Sequence, residues 1–591
     1  MRPAERPLPR LAAAALLLLL LAAPGAFAAP ASPAPAWRPP AVAVATAHPL
    51  ATEAALEILA AGGNAFDAAV AASAALAVVE PYSSGLGGGG FWLLHRARDG
   101  LEVMVDGRER APLAATRDMY LDAEGRPRPG ASLDGPLAAA VPGEPAALAH
   151  IAARYGRLPL ARSLAPAIRL AREGFRIDAR YRRFARLRLA ALRASPAAAR
   201  IFLKDGEVPP EGWRLRQPEL AATLARLARE GAAGFYRGPV AGRLVAGVRA
   251  AGGIWTLEDL AAYRVAEREP VRARWRGLRL VSAAPPSSGG VLLAEMLHML
   301  ERFHWERLDG AARAHVLIEI MRRAYRDRAL WLGDPDQVAM PLGRLLSRAY
   351  AARLADGIRL DRATPSAALG PAPGARAGAG AHTTHLSVLD AEGNRVAATL
   401  TINYPFGSGF VPPGTGVLLN DEMDDFAIAP GVPNAYGLVG AEANAIAPGR
   451  RPLSSMSPTF LDDGTRVAIV GTPGGSRIIS MVLHATLAFA EGAGARAMVA
   501  RPRFHHQYLP DEVQHEPGAF APAVAARLRA LGHRLREVRP YGNMQAVVWD
   551  RRAGTVEAAS DPRGIGAARV RPAVPPSREL AGRTMGSVTA R

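Results

Sequence analysis

The chain has 591 residues, enough for one large α/β unit or two average domains, and its apolar (49%) and charged (21%) fractions are those of a globular protein. Its formal net charge of +19 comes almost wholly from arginine, Lys204 being the single lysine. The arginines are scattered through amphipathic stretches such as 180–200 and 322–330 and form no block of clustered charge and aromatics, which predicts solvated faces and argues against nucleic-acid binding. Cysteine is absent, which excludes thiolate catalysis, thiolate metal ligands and disulfides.

At the N-terminus, Arg2, Arg6 and Arg10 precede an apolar run over 11–23, and Ala26-Phe27-Ala28 is a small-x-small cleavage site. The pattern predicts a secretory signal peptide over 1–28, with a retained anchor as the alternative, followed by a Pro/Ala-rich leader over 29–40. The apolar run is short for a membrane span and none follows, so export to a bacterial periplasm or the medium is expected.

Residues 48–81 read as two alanine-rich helices broken at Gly62-Gly63, with Asn64 and Asp67 capping the second and Pro81 ending it. SSGLGGGG (83–90) satisfies a dinucleotide fingerprint in letters only: a helix precedes it and a strand-like run (91–95) follows, the reverse of the required order. The glycines are expected to be a tight backbone passage into a core strand. A further strand over 101–106 leads to Arg108, which by position alone reads as solvent-facing. From 136 to 380 the pattern is mostly helical, with helices expected at 159–173, 218–231, 239–251, 291–302 and 311–330. PPSSGG (285–290) reads as a turn and helix entry; it lacks the setting of a nucleophile elbow. No metal-ligand spacing is present, and His505-His506 reads as a packed loop pair.

The run 368–382 is glycine, alanine and proline, with little surface to bury. A β-hairpin follows, turning at 390–394; with the turn centred near Glu392, Thr401 falls opposite Thr383, and Asn403 lies two residues on. By spacing alone these are ordinary strand residues. Glu422 and Asp425 in NDEMDDF suit a substrate ammonium or a solvated acidic turn. Ser454-Ser455 lie in a proline-flanked extended loop. A buried strand over 467–470, a glycine turn (471–476) and a helix over 478–490 make either an anion site or a structural turn.

Eight segments in order carry a resemblance: SSGLGGGGF (83–91), GRERAP (107–112), PPSSGG (285–290), TTHLSV (383–388), LLNDEMDDF (418–426), PGVPNAYGLVG (430–440), RPLSSMSPT (451–459) and GTPGGSR (471–477). The chain resembles the gamma-glutamyltransferases of the N-terminal-nucleophile hydrolase superfamily. The resemblance implies a four-layer α/β/β/α sandwich and autocleavage between His382 and Thr383, giving a large subunit (29–382) and a small subunit (383–591) in one composite domain. It makes Thr383 both the nucleophile and, through its freed amine, the base. It assigns orientation of that nucleophile to Thr401 and the oxyanion to Gly474 and Gly475. The α-carboxylate goes to Arg108, Ser454 and Ser455, the α-amino group to Glu422, Asp425 and Asn403, and a lid to 430–449 with Tyr436. Expected partners are glutathione or other γ-glutamyl compounds, with water, amino acids or dipeptides as acceptors and no cofactor. Glu422 stands where some bacterial members have Gln, and Asp421 where many have Asn; these, with Pro412-Pro413, put the loop geometry in question. The alternatives are a cephalosporin or glutaryl-amide acylase of the same superfamily, and an inactive exported binding protein.

Overall fold

The computed structural model describes residues 37–370, 383–429 and 431–573. The signal-peptide reading, His382 and the last part of the 368–382 run lie outside them. Two antiparallel sheets form the interior. The first has seven strands in the order Ala567–Pro572, Ala41–Thr46, Thr384–Leu389, Arg395–Thr401, Gly89–Arg96, Leu101–Gly107 and Ala266–Arg268. The second has six: Thr555–Ser560, Gln545–Asp550, Arg466–Gly471, Thr459–Asp462, Leu278–Ser282 and Val271–Trp275.

The sheets face one another, with Thr384–Leu389 and Arg395–Thr401 against Arg466–Gly471 and Gln545–Asp550. Helices Pro49–Ala60, Ala65–Val79 and Glu144–Tyr155 cover the first sheet; Gly289–Leu300, Ile478–Ala490 and Ala495–Ala500 cover the second. This is the expected four-layer sandwich. In Gly89–Arg96, Phe91 and Leu93 enter the inter-sheet core while Trp92 and Leu94 enter the core under the helices. Buried on both faces, Phe91 to Leu94 read as an apolar run rather than an alternation.

The Ala65–Val79 helix is buried along its whole length, and its alanines let it lie close on the sheet. Its predicted cap is present: Asn64 Oδ1 accepts from the amides of Phe66 and Asp67, and Asp67 Oδ2 accepts from the Asn64 amide. The expected helices stand at Leu160–Glu173, Pro218–Glu230, Gly238–Ala250, Gly289–Leu300 and Gly310–Trp331. Two expectations need correction. The 136–380 region also supplies the three strands between Ala266 and Ser282, two of them in the second sheet. The arginines of 322–330 are not all solvated: Arg322, Arg323 and Arg328 are buried, the first two ion-paired with Glu319. In both sheets, strands from before residue 370 pair with strands from after residue 383.

Candidate active site

Thr383 sits at the head of the central hairpin. Leu400 pairs with Thr384 across it, so Thr401 stands opposite Thr383 as the turn arithmetic predicts. The turn is fixed by Asp390, whose Oδ1 accepts from the Glu392 and Asn394 amides and whose Oδ2 reaches the Ala65 amide. Thr383 Oγ1 lies 3.5 Å from Thr401 Oγ1, which also accepts from the Asn403 amide at 2.8 Å. Asn403 is left-handed (φ 70°) and its Nδ2 donates to the Asp421 carbonyl at 3.0 Å. The glycine run passes beside this hairpin: a Cβ at Gly88 would lie 2.1 Å from the Thr401 carbonyl, and one at Gly87 2.0 Å from the Leu418 carbonyl. The passage role is borne out.

Arg108 is fully buried rather than solvent-facing. Its Nη1 donates to Glu422, with Glu109 3.4 Å from the same nitrogen; its Nη2 donates to Asp425 Oδ2 at 2.6 Å and its Nε to the Pro452 carbonyl at 3.0 Å. One guanidinium therefore faces three carboxyls. Burial, only partly offset by Arg108, pushes Glu109 up to about 7 and Glu422 well above the usual carboxylate range. Glu422 Oε2 is buried and has no hydrogen-bond partner among the described residues.

Across the cavity, Ser454 Oγ accepts from the Met456 amide at 3.1 Å and Ser455 Oγ from Arg328 Nη2 at 3.2 Å. Each hydroxyl thus spends a lone pair on the protein and keeps its proton to donate. Gly474 (φ 153°) and Gly475 (φ 57°) form the turn into the Ile478–Ala490 helix through the short Gly475–Arg477 turn. Neither glycine amide finds an acceptor among the described residues. Amides of that kind opening a helix suit an anion. Tyr436 lies over Gly475 and donates from its hydroxyl to the Asn403 carbonyl at 2.7 Å. The segment after Pro430 is tied to the acidic turn: Asp424 accepts from the Ala435 amide and Asp425 from Asn434.

Arg108, Thr383, Thr401, Asn403, Glu422, Asp425, Tyr436, Ser454, Ser455 and Gly475 line one cavity. Gly474 adjoins Gly475 without lining it, and His382 lies outside the described residues. Sequence reasoning missed Glu109, Arg328 and Asn420. The Asn420 amide side chain bridges the Gly87 and Ala140 backbones to the Glu422 amide, which pins the acidic turn. Asp421 is buried, with Oδ1 accepting from the Tyr404 amide, and burial pushes its carboxyl well above the usual range. His505 and His506 are the expected packed pair, held by Ser480, Gln507 and Asp511. His315, Glu319 and His533 converge like metal ligands, but Glu319 is engaged by two arginines and the imidazoles hydrogen-bond to each other at 2.7 Å.

The gamma-glutamyltranspeptidase family model matches residues 51–570. The chain is 43% identical over 512 residues to the glutathione hydrolase proenzyme of Pseudomonas sp. (strain A14), covering 85% of this chain and 88% of that protein. It is 42% identical over 527 residues to the proenzyme of the same name from Escherichia coli (strain K12), covering 88% of this chain and 90% of that one. Among solved structures it resembles the cephalosporin acylase from Bacillus halodurans at 29% identity and TM-score 0.79, over 93% of this chain and 99% of that one. The four layers are therefore those of the N-terminal-nucleophile hydrolases. The match runs from the first helix into the last strand of the first sheet, across the hairpin, the acidic turn and the glycine turn, and on it the chain belongs to the gamma-glutamyltranspeptidase family.

Proposed function

We propose that this chain is an exported, self-cleaving γ-glutamyl transferase and hydrolase acting on glutathione and related γ-glutamyl amides. One observation carries the reading: the cavity beside Thr383 holds a buried guanidinium, a carboxylate pair with an unpartnered oxygen, and two serine hydroxyls with protons to give. That set is complementary to the ammonium and carboxylate of one α-amino acid head group, with its γ-carbonyl reaching the threonine. Asp425 favours γ-glutamyl over glutaryl amides, because a ligand without an amine has no use for the second carboxylate.

In maturation, Thr383 Oγ1 attacks the His382 carbonyl carbon; the amide becomes an ester and the threonine amine is released. Water then hydrolyses the ester, leaving chains of residues 29–382 and 383–591 after removal of 1–28. The interleaved strands support their remaining one folded unit. In turnover the free amine, of reference pKa about 8, takes the hydroxyl proton as Oγ1 attacks the γ-carbonyl. Thr401 orients Oγ1, and the Gly474 and Gly475 amides meet the oxyanion. The protonated amine passes its proton to the departing amine of the substrate. Water, an amino acid or a dipeptide then takes the γ-glutamyl group from the ester, with no cofactor. No helix among the described residues is long and apolar enough to cross a membrane.

The test pairs intact mass with turnover. Wild type is expected to give two chains, the smaller beginning at Thr383, and to release a chromogenic anilide from its γ-glutamyl amide. Thr383→Ala is expected to stay one chain. Release from the glutaryl anilide alone would transfer the protein to the acylases, and release by neither would leave an exported binder.

A further inference from the structure

Arg328 stands in the last turn of the Gly310–Trp331 helix, buried, with no ion pair to any carboxylate among the described residues. Its neighbours Arg322 and Arg323 both have Glu319; Arg328 has two serines. Nη2 donates to Ser455 Oγ at 3.2 Å, and Nε to Ser288 Oγ at 3.1 Å. Ser288 belongs to PPSSGG, for which the reaction has no direct use. Its hydroxyl donates onward to the Ser454 carbonyl at 2.7 Å, and its amide to the same carbonyl at 2.8 Å. Ser287 Oγ donates to the Met456 carbonyl at 2.6 Å, and the Pro286 carbonyl accepts from the Ser454 amide at 2.8 Å. PPSSGG thus grips the backbone on both sides of Ser455, and Arg328 grips its side chain.

A buried cation with no carboxylate in contact is costly, and such groups persist where something compensates them; Asp425 acts on Arg328 from beyond ion-pair distance, and Arg108 opposes it. Burial lowers the Arg328 guanidinium to about 10, still charged at neutral pH. A guanidinium can only donate, so Ser455 Oγ must accept from it and aim its own proton elsewhere. The direction open to that proton is the cavity that Ser455 lines.

Resting on the γ-glutamyl reading above, we propose that Arg328 and Ser288 are positioning residues for the substrate α-carboxylate: Arg328 fixes Ser455 as a donor and supplies the second positive charge of that subsite, the first being Arg108. The carboxylate that Arg328 lacks in contact is that of the substrate. Arg108 is shared among its own carboxyls, and Arg328 holds the serine wall.

The experiment measures kcat and KM on a γ-glutamyl anilide and on its α-methyl ester, for wild type, Arg328→Gln, Arg328→Lys and Ser288→Ala, after intact mass has shown both subunits. For Arg328→Gln, KM on the free acid is expected to rise about tenfold or more with kcat within threefold, the loss of one charge-assisted hydrogen bond and its field. Its preference for acid over ester should shrink by the same factor. Ser288→Ala should move both in the same direction by about threefold, and Arg328→Lys, which keeps the charge, should recover part of the loss. Processed variants with unchanged acid-over-ester preference would overturn the proposal. So would failure of all three to process, which would assign the cluster to folding. Wild type inactive on both anilides would instead overturn the γ-glutamyl reading.

Discussion

Gly475→Ala puts one methyl group at the junction of the glycine turn and the segment over the cavity. The backbone there is left-handed (φ 57°), which costs an alanine about 1 kcal/mol. The larger effect is steric. The new Cβ would lie 2.3 Å from Tyr436 Cδ1 and 2.5 Å from Cε1, so the ring must withdraw by about 1.2–1.5 Å to reach an ordinary carbon contact. Tyr436 is held at three points: its hydroxyl donates to the Asn403 carbonyl (2.7 Å), its backbone amide donates to Asn434 Oδ1 (3.0 Å) and its backbone carbonyl accepts from Gln507 Nε2 (3.3 Å). Asn403 in turn gives its amide to Thr401 Oγ1. A push at Gly475 therefore reaches Thr401, proposed to orient the nucleophile, as well as the amide proposed for the oxyanion. Misplacing an oxyanion donor costs about 10²–10³ in rate, and kcat is expected to fall by that factor. The assay is single-substrate kinetics on a γ-glutamyl anilide, with intact mass confirming two chains. Gly492→Ala is the control: φ is 95° with nothing within 4 Å, so it carries comparable strain without the clash and should leave kcat unchanged. Removing the ring relieves the collision, so Gly475→Ala/Tyr436→Ala should recover at least about tenfold over Gly475→Ala alone. A processed Gly475→Ala enzyme within threefold of wild type would refute the oxyanion assignment; no recovery in the double variant would refute the route through Tyr436.

Asp425→Asn keeps the shape of a group that holds Arg108 Nη2 at 2.6 Å and removes its charge; KM for a γ-glutamyl anilide is expected to rise about 10- to 100-fold in steady-state assays, with any glutaryl anilide turnover unaffected. Thr401→Val takes the acceptor from the Asn403 amide and the oxygen facing Thr383 Oγ1; kcat should fall about tenfold or more with KM little changed. Glu109, pushed up to about 7 by burial, is neutral below that pH and charged above it, so the pull on a substrate ammonium strengthens as pH rises. The profile of kcat/KM is expected to climb through about 7, and Glu109→Gln should remove that limb while leaving one near 8 from the threonine amine.

The parts of this molecule legible in the sequence were those set by local rules. Hairpin register follows from turn length, so Thr401 could be put opposite Thr383 before any coordinates. The Asn64/Asp67 cap and the glycine turn into the Ile478–Ala490 helix follow from donor, acceptor and φ requirements within a few residues. What escaped was set by partners far along the chain. Nothing beside Arg108 announces that residues 422, 425 and 452 will enclose it, and local position pointed to solvent. The short strands between Ala266 and Ser282 were lost among long helical stretches, though Val271–Trp275 alternates buried apolar residues with exposed arginines, a period-two signal that could have found it. Arg328 was read as part of a charged helix face because composition gives sign without burial. The usable signal was nearby: Glu319 at i−3 and i−4 pairs with Arg322 and Arg323 and leaves Arg328 without an acid of its own.

The charge arrangement of the cavity explains why the head group must bring both signs. Arg108 is the link between Glu109, Glu422 and Asp425, and a ligand carboxylate recruiting it would take it from them. An anion without an amine would leave those carboxyls buried beside one fewer cation, a penalty of several kcal/mol against the two or three its own hydrogen bonds return. A lone ammonium satisfies the carboxyls but leaves Arg328 without a contacting anion and the serine protons ungiven. With both groups on one carbon, the ammonium replaces the guanidinium at Glu422 and Asp425 while the carboxylate takes Arg108, Ser454 and Ser455, so no charge is left unpaired. Selectivity for an α-amino acid head is then a property of the whole set, and removing either Asp425 or Arg328 should weaken discrimination more than it weakens folding.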